Sequence, residues 1–301
     1  MIHLTSDNLS ISRPTAVAIG KFDGIHRGHM ALLKKLKQVA EKKGLASLVF
    51  TFNPHPIAFF KNEHMPLLLD PNEKLQIFKS LGIDYYLEYK FDESFAKTSP
   101  QDFLQNIVHD KLQAQALVVA DGYRFGKGGE GTVEMAGKIC DEIGLEMHTI
   151  GHVVHAGHKI SSDFLRTLIA KRDFELMSSL YGRDFSATGI VVHGNALGRT
   201  IGFPTANIKA HPDKLLPPNG VYATTTLVNG ITYKSITNIG TRPSIADGSG
   251  EVHFETHILN FSDNLYGQEI TINFHKHIRD EKKFDSLDEL KVQLTKDIYH
   301  A

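Results

Sequence analysis

Apolar residues recur with two different periods along this 301-residue chain, and the change of period divides it in two. In the first half, AVAIGKF (16–22), ASLVFTF (46–52), YYLEYKF (85–91) and ALVVADG (116–122) are short, nearly continuous apolar runs. Such runs read as strands buried on both faces. Between them, residues 29–43, 71–81 and 100–113 space their apolar positions as helices do. DPNEKLQIF places Asp70 and Pro71 where the second of these helices should start, and Gly82 stands where it should stop. Strands that alternate with helices predict a doubly wound parallel sheet.

From about Ser186 the pattern becomes one of short β-rich runs. GVYATTTLVNGITYKSITNIG (220–240) is two such runs joined through Asn229-Gly230, a dipeptide suited to a tight hairpin turn. EVHFETHIL (251–259) and QEITINFHKHI (268–278) read as further strands, and SLDELKVQLTKDIYH (286–300) as a closing amphipathic helix. Many short strands with one terminal helix predict a small antiparallel β-barrel. The helical stretch 161–181 bridges the halves, so the expected domains are 1–182 and 183–301. There is no internal repeat and no low-complexity segment.

Composition narrows the function. Lysine and arginine total 33 against 34 acids, a balance that speaks against a general nucleic-acid binder. The densest basic run, KKLKQVAEKKG (34–44), carries Leu36, Val39 and Ala40 at helical spacing and reads as a solvated helix face. A single cysteine, Cys140, allows neither an internal disulfide nor a multi-thiolate metal site. With no charged-then-apolar leader and no run near the ~20 apolar residues a bilayer span needs, a cytoplasmic protein is expected. Neither a membrane nor an obligate protein partner is implied.

The first candidate chemistry lies in AIGKFDGIHRGHMALL (18–33), where a strand hands over to a helix. Ligands of open α/β sheets sit at that kind of junction, and helix amides there attract phosphate. Gly20, Gly24 and Gly28 let backbone approach a ligand, and His26 and His29, three apart, share one side of a first helical turn. Two imidazoles there can donate to phosphoryl oxygens during transfer. TFNPHP (51–56) holds Asn53 and His55 between proline-constrained positions, either as a rigid strand exit or as a substrate loop. RFGKGGEG (124–131) is a glycine-rich loop with two cations, by itself a weak phosphate signal. In KISSDFLRTLI (159–169), Ser161 and Ser162 can cap a helix and meet phosphate, and Arg166 can add a forked contact.

The second candidate site begins in GIVVHGNALGRTIGFPTANI (189–208). Gly194, Gly198 and Arg199 can form a phosphate-facing loop, and Thr205 and Asn207 offer the oxygen ligands that Mg²⁺ accepts. On EVHFETHIL, His253, Glu255 and His257 share a strand face with three open readings: a solvated polar side, a His-Glu-His metal face, or a carboxylate positioned as a base.

These motifs are familiar in combination. HRGH resembles the HxGH signature of the nucleotidyltransferase superfamily. GKFDGIHRGH with TFNPHP and GYRFGKGGEG resembles the adenylyltransferase half of the bacterial bifunctional riboflavin kinase/FMN adenylyltransferase (FAD synthetase) family. GFPTAN (202–207) resembles the riboflavin kinase signature, and NIGTRPS (238–244) and HIRDEKKF (277–284) follow in the family's order. The resemblance implies a Rossmann-like nucleotidyltransferase domain and a kinase barrel. It further implies ATP-dependent phosphorylation of riboflavin to FMN, then adenylylation of FMN to FAD with release of pyrophosphate, assisted by Mg²⁺. Glu255 would be the base for the ribityl hydroxyl, and His26 and His29 would steady the phosphates. ATP phosphates would meet Gly20, Phe22, Asp23, Gly24, Gly28, Ser161, Ser162, Arg166, Gly194, Gly198 and Arg199. Asn53, His55, Arg124, Phe125, Arg242 and Arg279 would lie on the flavin side, and Thr205 and Asn207 would bind the metal. Asp163, Leu165 and Gly122 depart from the family's usual residues. From Gly122 and Asp163 the expectation is weaker FAD than FMN formation, improved by Gly122→Asp where position 122 does not require a positive φ. The alternative reading is a riboflavin kinase with weak or lost adenylyltransferase activity, and a flavin-binding regulatory protein is the rival from another class.

Overall fold

The computed structural model describes residues 1–194, 198, 201–242 and 251–300, with the backbone alone at 241–242 and 251–253. Packing divides the chain into Met1–Ser161 and Ser162–Ala301.

In the first unit the apolar runs pair as a parallel sheet in the order β1-β4-β3-β2-β5-β6. The strands are β1 (Ile2–Thr5), β2 (Thr15–Ile19), β3 (Ala46–Asn53), β4 (Tyr85–Lys90), β5 (Ala114–Ala120) and β6 (Glu146–Ile150). Successive residues of a strand point to opposite faces, and here both faces are covered. Val17 and Ile19 face a layer with Phe103, Leu104 and Ile139, while Ala16 and Ala18 face Leu33, Leu36 and Phe78. The helices are α1 (Arg27–Lys43), α2 (Pro56–Lys61), α3 (Pro71–Ser80), α4 (Glu93–Ala96), α5 (Pro100–Asp102) and α6 (Val133–Ile143). Residues Phe103–Lys111 continue α5 with wider π-helical geometry. The lysine-rich run is the outer side of α1, with Leu36, Val39 and Ala40 buried beneath it. Asp70 caps α3 in a reciprocal capping box with Glu73. Two strands of this sheet, β1 and β6, escaped the sequence pattern. Both are edge strands and bury too few residues to leave a continuous apolar run.

The chain walks outward from β2 through β3 to β4, then returns to place β5 on the other side of β2. That reversal opens a crevice beyond the carboxyl end of β2, where α1 begins.

The second unit is a closed antiparallel barrel in the order β10-β13-β12-β11-β14-β9. A two-stranded hairpin, β7 (Val154–His155) and β8 (His158–Lys159), precedes it in the chain. The barrel strands are β9 (Phe185–Val192), β10 (Ala206–Ala210), β11 (Gly220–Val228), β12 (Ile231–Arg242), β13 (Glu251–Ile258) and β14 (Glu269–Arg279). Asn229 (φ 49) and Gly230 (φ 83) make the turn between β11 and β12, as the dipeptide predicts. Inside, a ladder of hydroxyls runs Thr226–Ser235–Thr224–Thr237–Thr256 at 2.8–2.9 Å. Each buried hydroxyl is thereby satisfied.

The helical stretch before the barrel is two helices, α7 (Ser162–Ala170) and α8 (Phe174–Tyr181), and α9 (Leu287–Tyr299) closes the chain. The sequence placed the boundary after residue 182, whereas α7 and α8 pack with the barrel. The cause is Phe174, whose ring lies 5.7 Å from Tyr222, 5.8 Å from Phe274 and 6.4 Å from Phe185. Truncating Phe174 to Ala should therefore cost about 3–5 kcal/mol in urea unfolding of the second unit. A fragment beginning at Ser162 should melt cooperatively, and one beginning at Asp184 should not. Equal stability of the two fragments, by circular dichroism, would show that α8 is dispensable.

Candidate active sites

At the end of β2, Gly20 N–H donates to Phe50 O (3.1 Å) and Thr51 Oγ1 donates to Lys21 O (3.0 Å). The next residues turn sharply, with positive φ at Phe22 (48), Gly24 (93) and Ile25 (42). Phe22 and Ile25 pay a steric penalty in this region, and their complete burial holds them there. Asp23 is also buried and accepts from Leu68 N–H at 2.9 Å.

The turn delivers His26 as the N-cap of α1, its Nδ1 accepting from His29 N–H at 3.3 Å. That acceptor role leaves the proton of a neutral His26 on Nε2. The two imidazoles stack at 3.9 Å with 14° between planes, and Phe22 packs on His29 at 5.2 Å. Gly28 lies against them, since a Cβ there would sit 3.1 Å from the His26 ring. The first turn of this 17-residue helix holds no acid of its own, and the positive end of a helix dipole favours an anion. The structure thus brings Gly20, Phe22, Asp23, Gly24, His26, Gly28 and His29 into one turn.

Beside Lys21 lies an aromatic cavity of about 180 Å³, walled by Phe52, Phe60, Phe91, Tyr123 and Phe125. Tyr123 and Phe125 stack at 5.2 Å. The Tyr123 hydroxyl is buried without a hydrogen-bond partner among the described residues, and burial raises its pKa. Arg124 and Phe125 line this cavity. Asn53 and His55 do not. Asn53 is exposed at the end of β3, and His55 Nδ1 caps α2 by accepting from Ile57 N–H at 3.2 Å. The rigid strand exit is thus what His55 serves locally, while the neighbouring Pro56 and Phe60 face the cavity. Ser162, Asp163 and Arg166 lie on α7 and pack in the second unit, and Ser161 ends the first. Asp163 stands in the first turn of α7, where the helix dipole favours an acid. Gly122 has φ +76, so the condition under which Gly122→Asp should help is not met: the turn after β5 favours glycine.

On the barrel, strand register does the assembly. Asn207 on β10 pairs with Glu255 on β13, Glu255 with Asn238 on β12, Asn238 with Val221 on β11, and Val221 with Arg279 on β14. This row of five crosses the outer face of the barrel and forms one wall of a cavity of about 320 Å³. Thr205, two residues before Asn207, lines the same cavity, as i, i+2 spacing requires. His257 lines it too and donates from Nδ1 to Pro204 O at 2.7 Å, fastening the segment that carries Thr205. Gly194 leaves room for Asn207, because a Cβ there would overlap the carboxamide, and Gly198 O accepts from Phe203 N–H at 2.8 Å. Phe284 and the apolar stripe Leu290, Leu294 and Ile298 of α9 form the opposite wall. A second cavity, about 350 Å³, adjoins across Thr205 and is lined by Thr256, Asp263 and Tyr266.

Arg279 lines the first cavity, but its guanidinium is committed to Asp297 at 2.8–3.1 Å. Arg199 lies outside the described residues, and so do the side chains of Arg242 and His253. Among the described residues no cluster of three His, Cys, Asp or Glu is able to hold a metal. Asn238, Phe284 and the α9 stripe were not singled out in the sequence. Alternation showed which residues share a strand face, but not which residue of the next strand stands opposite.

The chain matches the FAD synthetase family model over residues 9–164 and the riboflavin kinase model over 181–301. It is 39% identical over 285 residues to the bifunctional riboflavin kinase/FMN adenylyltransferase of Escherichia coli (strain K12), covering 93% of this chain and 90% of that one. With the protein of the same description from Bacillus subtilis (strain 168) it shares 36% over 307 residues, covering 100% and 96%. A crystal structure described as a macrolide-efflux protein from Streptococcus pneumoniae superposes with a TM-score of 0.90 at 30% identity, covering 99% of this chain and 98% of that one. Among the described residues no helix is long and apolar enough to cross a membrane. With both catalytic domains present in order, this chain belongs to the bifunctional riboflavin kinase/FMN adenylyltransferase family, making FMN from riboflavin and FAD from FMN.

Proposed function

We propose that the kinase reaction takes place on the barrel, with riboflavin in the cavity of about 320 Å³ and ATP in its neighbour. The observation that supports this is the cross-strand row Asn207–Glu255–Asn238, which sets a carboxylate between two carboxamides at the edge of an apolar cavity. The flat apolar wall of α9 suits a flavin ring, and the cavities meet at Thr205, where a phosphoryl group would cross. Glu255 orients the ribityl hydroxyl and takes its proton as oxygen attacks the γ-phosphorus of ATP; ADP departs. Positioning and charge neutralisation supply most of the catalysis in such a transfer. Thr205 and Asn207 are neutral hard-oxygen donors, which suits a Mg²⁺ delivered with the nucleotide better than a resident metal. When bound, Mg²⁺ offsets phosphate charge.

In the first unit, the capped start of α1 is the site for ATP phosphates and the aromatic cavity the site for FMN. The FMN phosphate oxygen attacks the α-phosphorus of ATP and pyrophosphate leaves, so no covalent enzyme intermediate forms. His26 and His29 donate to the phosphoryl oxygens. The orphaned Tyr123 hydroxyl supplies a hydrogen bond for a polar edge of the flavin. The single cysteine, buried and with its thiol pushed up to about 11 by burial, takes no part and fits a reducing cytoplasm. The substrates are small molecules, with no obligate protein partner.

Chromatography of products from riboflavin, ATP and Mg²⁺ separates these roles. Glu255→Gln should lower FMN formation by about 100-fold or more while riboflavin still binds; near-normal turnover would remove Glu255 as the base. His29→Ala should leave FMN formation intact and lower FAD formation by roughly 100-fold. Equal loss of both products would contradict two separate centres. Gly122→Asp should cost about 1 kcal/mol of stability and bring no gain in FMN use, because the left-handed turn disfavours a side chain. Higher kcat/KM for FMN in that variant would instead show that a missing side chain limits the site.

A further inference from the structure

The C-terminal helix carries a contradiction. Its stripe Leu290, Leu294 and Ile298 is only half-buried and faces the cavity, while Leu287 and Val292 are exposed. The one buried residue of α9 is an acid, Asp297, 1% exposed. A carboxylate is withdrawn from water only where it is fully paired. Here Arg279 Nε donates to both carboxylate oxygens (3.0 and 3.1 Å), Nη2 adds a bond of 2.8 Å, and Gln293 Nε2 donates to Oδ1 at 2.8 Å. Arg279 Nη1 is spent on Asp280 O at 3.0 Å, so the fork has little freedom to turn elsewhere.

Two other ties hold the segment between β14 and α9. Arg172 Nη1 donates to Asp280 at 2.7 Å, and Asn219 Nδ2 donates to Glu281 at 3.1 Å. Asp280 is 76% exposed, so water and salt weaken its pairing. Burial makes the Asp297 pair the strong one, because breaking it strands a guanidinium in place. Arg279 is also the last member of the row that begins at Asn207 and includes Glu255. One ion pair therefore fixes the distance between the apolar wall and the polar wall of the cavity.

We infer that Asp297, through Arg279 and with Gln293, is a positioning residue for riboflavin, holding the apolar face of α9 opposite Glu255. The inference rests on reading this cavity as the flavin site. Asp297 touches no substrate, so its loss loosens the ring's wall and leaves the phosphoryl transfer itself unchanged.

The test uses the full chain, with riboflavin affinity from quenching of its own fluorescence and steady-state kinase rates in parallel. Asp297→Asn should raise both Kd and KM for riboflavin about tenfold or more, with kcat at saturation within about threefold of the parent. Gln293→Leu, which removes one donor without stranding a charge, should raise them by a smaller factor of roughly two to four. Asp297→Glu should recover part of the loss. FAD formation from added FMN should stay at the parental rate in all three. Unchanged Kd in a folded Asp297→Asn chain, or a fall in kcat with KM unmoved, overturns the inference. If Asp297→Asn does not fold, Gln293→Leu decides, and an unchanged Kd there overturns it equally. Leu294→Ser separates the two levels of the reading. If it weakens riboflavin binding while the Asp297 and Gln293 variants do not, only the strap fails. If none of them moves Kd, the cavity is not the flavin site.

Discussion

Closing six antiparallel strands into a barrel fixes every register at once, and the row Asn207–Glu255–Asn238, the proposed kinase centre, depends on that constraint. Glu255 gains its neighbours from β10 and β12, not from its own strand. A slip of β13 by one residue would turn Glu255 to the barrel interior and put Phe254, Thr256 and Ile258 outside in its place. The interior is built to prevent this. Its hydroxyl ladder crosses from β11 to β12 to β13, so a shifted register would leave buried oxygens unpaired as well as apolar groups misplaced. The rigidity that positions the carboxylate thus comes from residues that never meet a substrate. The same holds at the opposite wall, where a buried ion pair seats α9.

The proposed phosphate site of the first unit is built by different means. A parallel sheet offers no cross-strand row of polar groups on its buried faces, so chemistry is displaced to the strand ends. There a strained turn, locked by burial of Phe22 and Ile25, sets His26 as a cap and stacks it on His29. In the proposed reaction the helix dipole and the imidazoles would act on one anion. Each unit keeps its own core, and each carries the match to one of the two catalytic families.

Much of this was legible before the fold was known, for physical reasons that differ by element. Runs buried on both faces have no alternative to a covered parallel sheet, and Asn229-Gly230 permits few turns other than the hairpin seen. The histidine pair was legible because cap, glycines and helix are adjacent in sequence. Sites assembled from distant segments were harder to see. Asn238 and Phe284 join Glu255 only through strand register and the approach of α9. Arg279 looked like a free cation because its partner lies eighteen residues on, inside an amphipathic helix whose acids all appear solvated. Asn53 and His55 attracted attention for their chemistry, whereas the cavity beside them is lined by the less conspicuous Phe52, Pro56 and Phe60. Gly122 read as a missing side chain until its positive φ was seen.

In the proposed function two chemically separate centres serve the two reactions, with the kinase centre organised around the Glu255 row. A crystal structure of the full chain with riboflavin, Mg²⁺ and a non-hydrolysable ATP analogue tests it most directly. The flavin ring should lie between Phe284 and the α9 stripe, with its ribityl hydroxyl within about 3 Å of the Glu255 carboxylate and the analogue's phosphates beside Thr205 and Asn207. Riboflavin bound in any other place, with the Glu255 row empty, would contradict it.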